Sequence, residues 1–192
     1  MRKLLLALAL LLIAGAAAFL GTQSLPAAHT VARSGRYMAV TTDEAAAAAF
    51  DIAGSVAWRT DLKSMEQLPD LRGHEVWRET WADGTVVTLE TVEQIKTRRL
   101  TRCVIDQDGP FGGCWKLEVS PRDKTDSVVE ITESLQIRSV AWRALHPLPT
   151  RKAHLDGYLR ALGAKLGPAP KLADKPRDLN TPIPKREPVA EP

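Results

Sequence analysis

Residues 128–166 read VVEITESLQIRSVAWRALHPLPTRKAHLDGYLRALGAKL, and the period of the apolar residues changes along them. Over Val128 to Ile137 it is two. Val129, Ile131, Leu135 and Ile137 share one face with Glu133, and Val128, Glu130, Thr132, Ser134 and Gln136 share the other. That is a strand with one face buried. Further on, Leu155, Leu159, Leu162 and Leu166 fall at i, i+4, i+7 and i+11, the stripe of an amphipathic helix. Arg151, Lys152, Arg160 and Lys165 are assigned to the wetter sides of that helix. Pro147 and Pro149 separate it from a shorter helix around Ala141 to Leu145.

Upstream the pattern is mostly strands. Arg98 to Ile105 and Trp115 to Ser120 flank a loop that contains Gly109, Gly112 and Gly113. Glu75 to Trp81 and Thr85 to Gln94 flank Asp83-Gly84, a strong hairpin signal. Lys63 to Leu68 is a shorter strand. Before these, Val31 to Met38 reads as a first strand. Thr41 and Glu44 have capping-box spacing ahead of the alanine run Ala45 to Ala49, and Gly54-Ser55 ends that helix. Val56 to Arg59 is expected to form a second short helix. The order is strand, two short helices, about six strands and a long helix. This predicts an α+β fold in which helices cover one face of an antiparallel sheet.

The two ends differ from this middle. Arg2-Lys3 precedes an uncharged apolar run from Leu4 to Leu20. A positive start and an apolar stretch direct a chain to a membrane. Two readings compete for residues 1–21. Seventeen residues at about 1.5 Å each make a short transmembrane helix, whereas Ala16-Ala17-Ala18 offers a signal cleavage site. Either way the rest of the chain is exported. Residues 22–30 form a linker, 31–167 the folded domain, and 168–192 a tail with seven of the 13 prolines, read as disordered.

The 192 residues carry 26 Lys and Arg against 23 Asp and Glu. The surplus lies outside the middle, because residues 31–166 hold 19 of each sign. A neutral domain lacks the electrostatic footprint for phosphates, so no nucleic acid partner is expected. There is no phosphate loop, no H-E-x-x-H and no G-x-S-x-G. His29, His74, His146 and His154 do not combine with Cys or acid at ligand spacing. No metal and no cofactor is expected.

Several stretches carry a resemblance when taken in order. They are Trp58-Arg59-Thr60-Asp61, Trp77-Arg78-Glu79, Asp108-Gly109-Pro110-Phe111-Gly112-Gly113-Cys114-Trp115, Val129-Glu130-Ile131-Thr132-Glu133 and Tyr158-Leu159-Arg160-Ala161-Leu162-Gly163. The chain resembles the SRPBCC group of START-like and Bet v 1-like proteins, in particular its membrane-anchored bacterial members similar to polyketide cyclases. The resemblance covers about residues 30–166 and the apolar N-terminal segment. It implies a helix-grip fold, a curved antiparallel sheet around a long C-terminal helix with a cavity between them. It also implies a hydrophobic or lipid-like ligand, with catalysis in only some members. It favours the retained anchor. Cys114, where the group usually has Thr, and the Pro-rich tail depart from it.

A hairpin centred between Asp108 and Gly109 sets Cys103 opposite Cys114. Opposed cross-strand residues are about 4.5–5.5 Å apart, within disulfide reach, and export puts them in an oxidising compartment. The alternatives are a disulfide or two free thiols. The same register sets Arg102 opposite Trp115, whose strand turns Leu117 and Val119 to the same side. With Glu133 on the apolar face of its strand, Arg102, Trp115 and Glu133 form one row facing the helix. Buried charges need partners. Arg102 and Glu133 are expected to meet each other, a ligand or water. The cavity candidates are therefore Arg102, Trp115, Leu117 and Glu133. They serve either as polar anchors for a ligand or as a structural ion pair.

Three functions remain open on these readings. One is a membrane-tethered domain, single-pass through residues 4–20 or secreted after cleavage, that binds a hydrophobic small molecule or lipid. Another is a cyclase or dehydrase in which Glu133 moves protons. The last is an interaction module that works through its tail.

Overall fold

The computed structural model describes residues 27–106, 109, 111–145 and 148–174. The apolar N-terminal segment, most of the linker and the end of the tail lie outside the described residues. The elements are β1 (Ala28–Tyr37), α1 (Thr42–Ala49), a 3₁₀ turn (Ala53–Ala57), β2 (Leu62–Leu71), β3 (His74–Trp81), β4 (Val86–Ile95), β5 (Arg99–Val104), β6 (Phe111–Pro121), β7 (Ser127–Ile137), α2 (Val140–Leu145), α3 (Leu148–Leu166) and β8 (Lys171–Asp174). The expected second short helix is thus this 3₁₀ turn, which lies a few residues earlier.

All strands join one antiparallel sheet in the order β2-β3-β4-β5-β6-β7-β1-β8. Consecutive hairpins make the run from β2 to β7, and β1 closes onto β7. Local chemistry sets the joints. The Thr41 hydroxyl accepts from the Glu44 N–H at 3.3 Å, and the Glu44 carboxylate accepts from the Thr41 N–H at 2.9 Å, completing the capping box of α1. Gly84 takes a positive φ of 87° in the β3–β4 turn, where the Asp83 side chain accepts from the Thr85 N–H at 2.8 Å.

Helix α3 lies on one face of the sheet. Its fully buried Leu155, Leu159 and Leu162 pack with Leu100, Leu117, Val119, Val129 and Ile131 from the strands. The Tyr37 hydroxyl donates to the Leu159 carbonyl at 2.7 Å and ties β1 to the helix. A second apolar cluster, Val87, Leu89, Val104, Phe111, Leu135 and Ile137, lies toward the other end, and Trp115 touches both.

Three boundaries differ from the sequence reading. First, β1 begins at Ala28 rather than Val31. The whole length of β7 needs a partner, and pairing runs from Tyr37–Ser127 to Ala28–Gln136. Second, β6 begins at Phe111, so Gly112-Gly113 is strand and not loop. Gly113 has φ 125°, and a Cβ there would run into the Ser134 carbonyl and the Leu135 Cα of β7. Only glycine permits that approach.

Third, Lys171–Asp174, expected in the disordered tail, forms β8 against Arg33–Arg36 of β1. Gly167 (φ 105°) ends α3, and its N–H reaches the Gly163 carbonyl at 2.8 Å. The small residues Gly35 and Gly163 leave room for Pro170. Arg33 then binds Asp174 and Asp156, each at 2.6 Å. Proline content alone does not register these anchors.

Cys103 and Cys114 are paired in register and joined by a disulfide, with 4.1 Å between their Cα atoms. They point away from the face that carries Arg102 and Trp115. The bridge spans a sequence separation of 11 residues. By the loop-entropy argument, replacing both cysteines with Ala should cost about 2–3 kcal/mol. Urea unfolding of that variant beside the oxidised parent checks this, and equal midpoints would contradict it.

Candidate functional site

A cavity lies between the sheet and α3, where the two apolar clusters meet. Leu89, Leu100, Leu117 and Ile131 supply much of its apolar wall. Trp81, Trp115 and Tyr158 add aromatic rings, and Arg102, Glu79, Arg59 and His154 bring polar groups into it. Its volume is about 60 Å³. At about 10–15 Å³ per water centre, that is room for roughly four to six water-sized groups. A second cavity of about 210 Å³ shares Trp81 and His154 with the first and continues to Phe111, Leu135, Glu133 and Arg151.

The expected row is present: Arg102 pairs with Trp115, and Trp115 with Glu133, across β5, β6 and β7. Arg102, Trp115 and Leu117 all line the first cavity, and Glu133 lines the second. The charges, however, do not pair with each other. Arg102 Nη1 donates to the Glu79 carboxylate on β3. Glu133 accepts from Arg151 Nη1 at 2.5 Å and from the Trp115 indole N–H at 2.9 Å. Both Glu133 oxygens are thereby occupied. Arg151 was expected on a wetter side of the helix, yet it is only 7% exposed. The leucine stripe carried back one turn from Leu155 falls on Arg151, and that was the available signal. A comparable signal marks Glu79, which alternates with Trp77 and Trp81 on an aromatic face.

Glu79 is the centre of a small network. It is 2% exposed, and its second oxygen lies 3.7 Å from Arg59 Nη1. Arg59 in turn forms a two-pronged pair with Asp61, at 3.1 and 2.6 Å. Its guanidinium also lies 5.5 Å from the centre of the Tyr158 ring. His154 leans on Trp81, with ring centres 5.6 Å apart, and reaches to 4.0 Å from Asp61.

Burial by itself would raise the Glu79 carboxyl. The Arg102 and Arg59 guanidiniums outweigh it and hold the group below its ordinary range. Burial likewise pushes the Asp61 carboxyl up, and Arg59 and His154 outweigh it and hold the group below its ordinary range. A carboxyl depressed on folding stabilises the protein above its ordinary pKa and loses that contribution as pH falls through its folded value. Stability should therefore decline as pH drops below the ordinary values of 4.5 and 3.8. An unfolding series against pH checks this, and Asp61→Asn should flatten the acid limb.

Arg102 is not fully satisfied by Glu79. It is 9% exposed, and its Nε and Nη2 have no protein acceptor. Arg151 Nε is likewise without an acceptor. Among the described residues, no group of His, Cys, Asp and Glu could hold a metal ion, and no helix is long and apolar enough to cross a membrane.

No family model and no curated protein matches the sequence. Solved structures do match in fold. A START superfamily protein from Mycobacterium smegmatis aligns with a TM-score of 0.60 at 13% identity, over 72% of this chain and 97% of that one. The di-domain ARO/CYC StfQ of the steffimycin biosynthetic pathway aligns with a TM-score of 0.53 at 13% identity, over 72% of this chain and 51% of that one. An aromatase/cyclase from a Streptomyces species aligns with a TM-score of 0.50 at 14% identity, over 73% of this chain and 87% of that one. The chain has the START-like, polyketide cyclase-like fold.

Proposed function

We propose that this chain binds a hydrophobic small molecule with one polar end, in the cavity between the sheet and α3, on the exported side of a membrane to which residues 4–20 tether it. The observation that carries the reading is Arg102. Arg102 lines the cavity and is 9% exposed, and two of its donors have no protein acceptor, which is costly for a buried guanidinium. A polar end fixed by a few donors inside an apolar pocket is the usual form of a small-molecule site. The START-like fold supports the same reading, and so does the apolar, positively flanked start of the chain.

The cyclase or dehydrase alternative needs a carboxyl that exchanges protons near working pH. Glu79 and Asp61 are held ionised by guanidiniums, and both Glu133 oxygens are engaged. These pairings support binding over proton transfer. The open cavity likewise supports a ligand site over a pure interaction module.

The test is native mass spectrometry of the full chain purified from its source membranes. A small apolar molecule should remain bound, and Ile131→Trp, which fills the cavity, should release it. A folded chain that carries nothing and takes up no apolar probe would overturn the reading. The tether is tested separately: the chain should stay with the membrane pellet after a carbonate wash, and recovery in the wash would refute it.

A further inference from the structure

We propose that the second cavity opens toward the bilayer that holds residues 4–20, and that the ligand enters and leaves through that lipid surface. This rests on the tethered, cavity-binding reading above and adds to it a partner and a route.

The first ground is where the cavity opens. Asp83 in the β3–β4 turn and Thr150 in the first turn of α3 both line it, and both are exposed. Glu133, Leu135 and Arg151 line it from the buried side. The mouth therefore lies between that turn and the start of the helix.

The second ground is where the chain enters the domain. At one end of the sheet Ala28 pairs with Gln136 and Phe111 with Ile137, and the Ala27 carbonyl accepts from the Ile137 N–H at 2.7 Å. Phe111 and Leu135 line the second cavity at this same end. At the other end Tyr37 pairs with Ser127, beside the β6–β7 turn. The start of β1 and the mouth are thus neighbours.

The third ground is reach. Only Gly21 to Pro26 separate the apolar run from Ala27. Fully extended, that connection spans at most about 25 Å. The strand β7 has 11 residues, which at about 3.3 Å each makes the sheet roughly 35 Å long. Setting the far end against the lipid would hang the domain from a point about 35 Å away, beyond that reach. The mouth end is kept toward the membrane instead. Val86, which follows the same turn as Asp83, is 57% exposed and adds apolar surface there. An apolar ligand concentrates in lipid, so a mouth at the lipid surface meets it where it is most abundant.

The experiment uses the full chain in vesicles of phosphatidylcholine and phosphatidylglycerol. Cys103 and Cys114 are joined to each other, so a new cysteine takes a donor dye alone. It is placed at Asp83 or at Lys124, which is exposed in the β6–β7 turn. Energy transfer to headgroup-labelled lipid should be severalfold higher from Asp83→Cys than from Lys124→Cys. Loading is followed as quenching of tryptophan fluorescence by bromoundecanol carried in the vesicles. Thr150→Phe, which crowds the mouth, should slow loading roughly tenfold. Lys124→Phe should leave it unchanged, and circular dichroism confirms the fold of each variant. Equal transfer from the two sites, or loading of Thr150→Phe at the parent's rate, would overturn the lipid-facing mouth and leave the cavity reading intact. A folded parent that bromoundecanol never quenches would remove the cavity reading itself. A chain that does not float with the vesicles would remove the tether.

Discussion

Arg151→Met should lower the unfolding free energy by about 3–5 kcal/mol, the largest single effect expected here. The guanidinium comes from the first turn of α3 and meets Glu133 on β7 at 2.5 Å. Glu133 is 2% exposed, and in the variant it keeps only the Trp115 indole N–H. An uncompensated carboxylate at that depth must stay charged without a counter-ion or take up a proton. The cost therefore comes from what is left behind, not from the pair itself. Arg151→Met/Glu133→Leu should accordingly recover most of the loss, because a well-packed apolar pair can replace a buried ion pair. Urea unfolding of the single and double variants measures this. A double variant as unstable as the single one would contradict it.

Leu159→Ala should cost about 2–5 kcal/mol by the same measurement. Leu159 is fully buried in the core that α3 makes with the sheet, beside Leu155 and Leu162. It does not line either cavity. The variant should lose stability while keeping its preference among ligands. That separates helix packing from ligand selection. A cost under about 1 kcal/mol would mean that the helix is not held by this stripe.

Much of this fold is legible in the sequence because one face of each element is buried. The alternation of Val129, Ile131, Leu135 and Ile137 shows β7, and the leucine stripe shows the helix that covers it. The register that opposes Cys103 to Cys114 also aligns Arg102, Trp115 and Glu133. What the row could not name was the partners. Glu79 lies on β3, two strands from Arg102 in the sheet, and Arg151 lies on the helix. Neither spacing within a strand nor pairing between neighbours links such residues, and only tertiary packing brings them together. The same limit explains β8. Its four residues have little strand character alone and are held by Arg33, by room at two glycines and by Leu172 on the core. Gly113 misleads in the opposite direction, because a glycine pair reads as loop where the structure uses one for close strand contact.

The site follows a plain physical logic. A largely apolar cavity is shaped by sheet and helix, Glu79 fixes Arg102 and Asp61 fixes Arg59 at one end of it, and two donors of Arg102 have no protein acceptor. The direct test of this account is proton–nitrogen NMR of the arginine side chains during titration with octanoate. The account predicts that the Arg102 side-chain signals shift as the cavity fills, while those of Arg33, already held by Asp156 and Asp174, stay in place. Saturable binding with the Arg102 signal unmoved would contradict it.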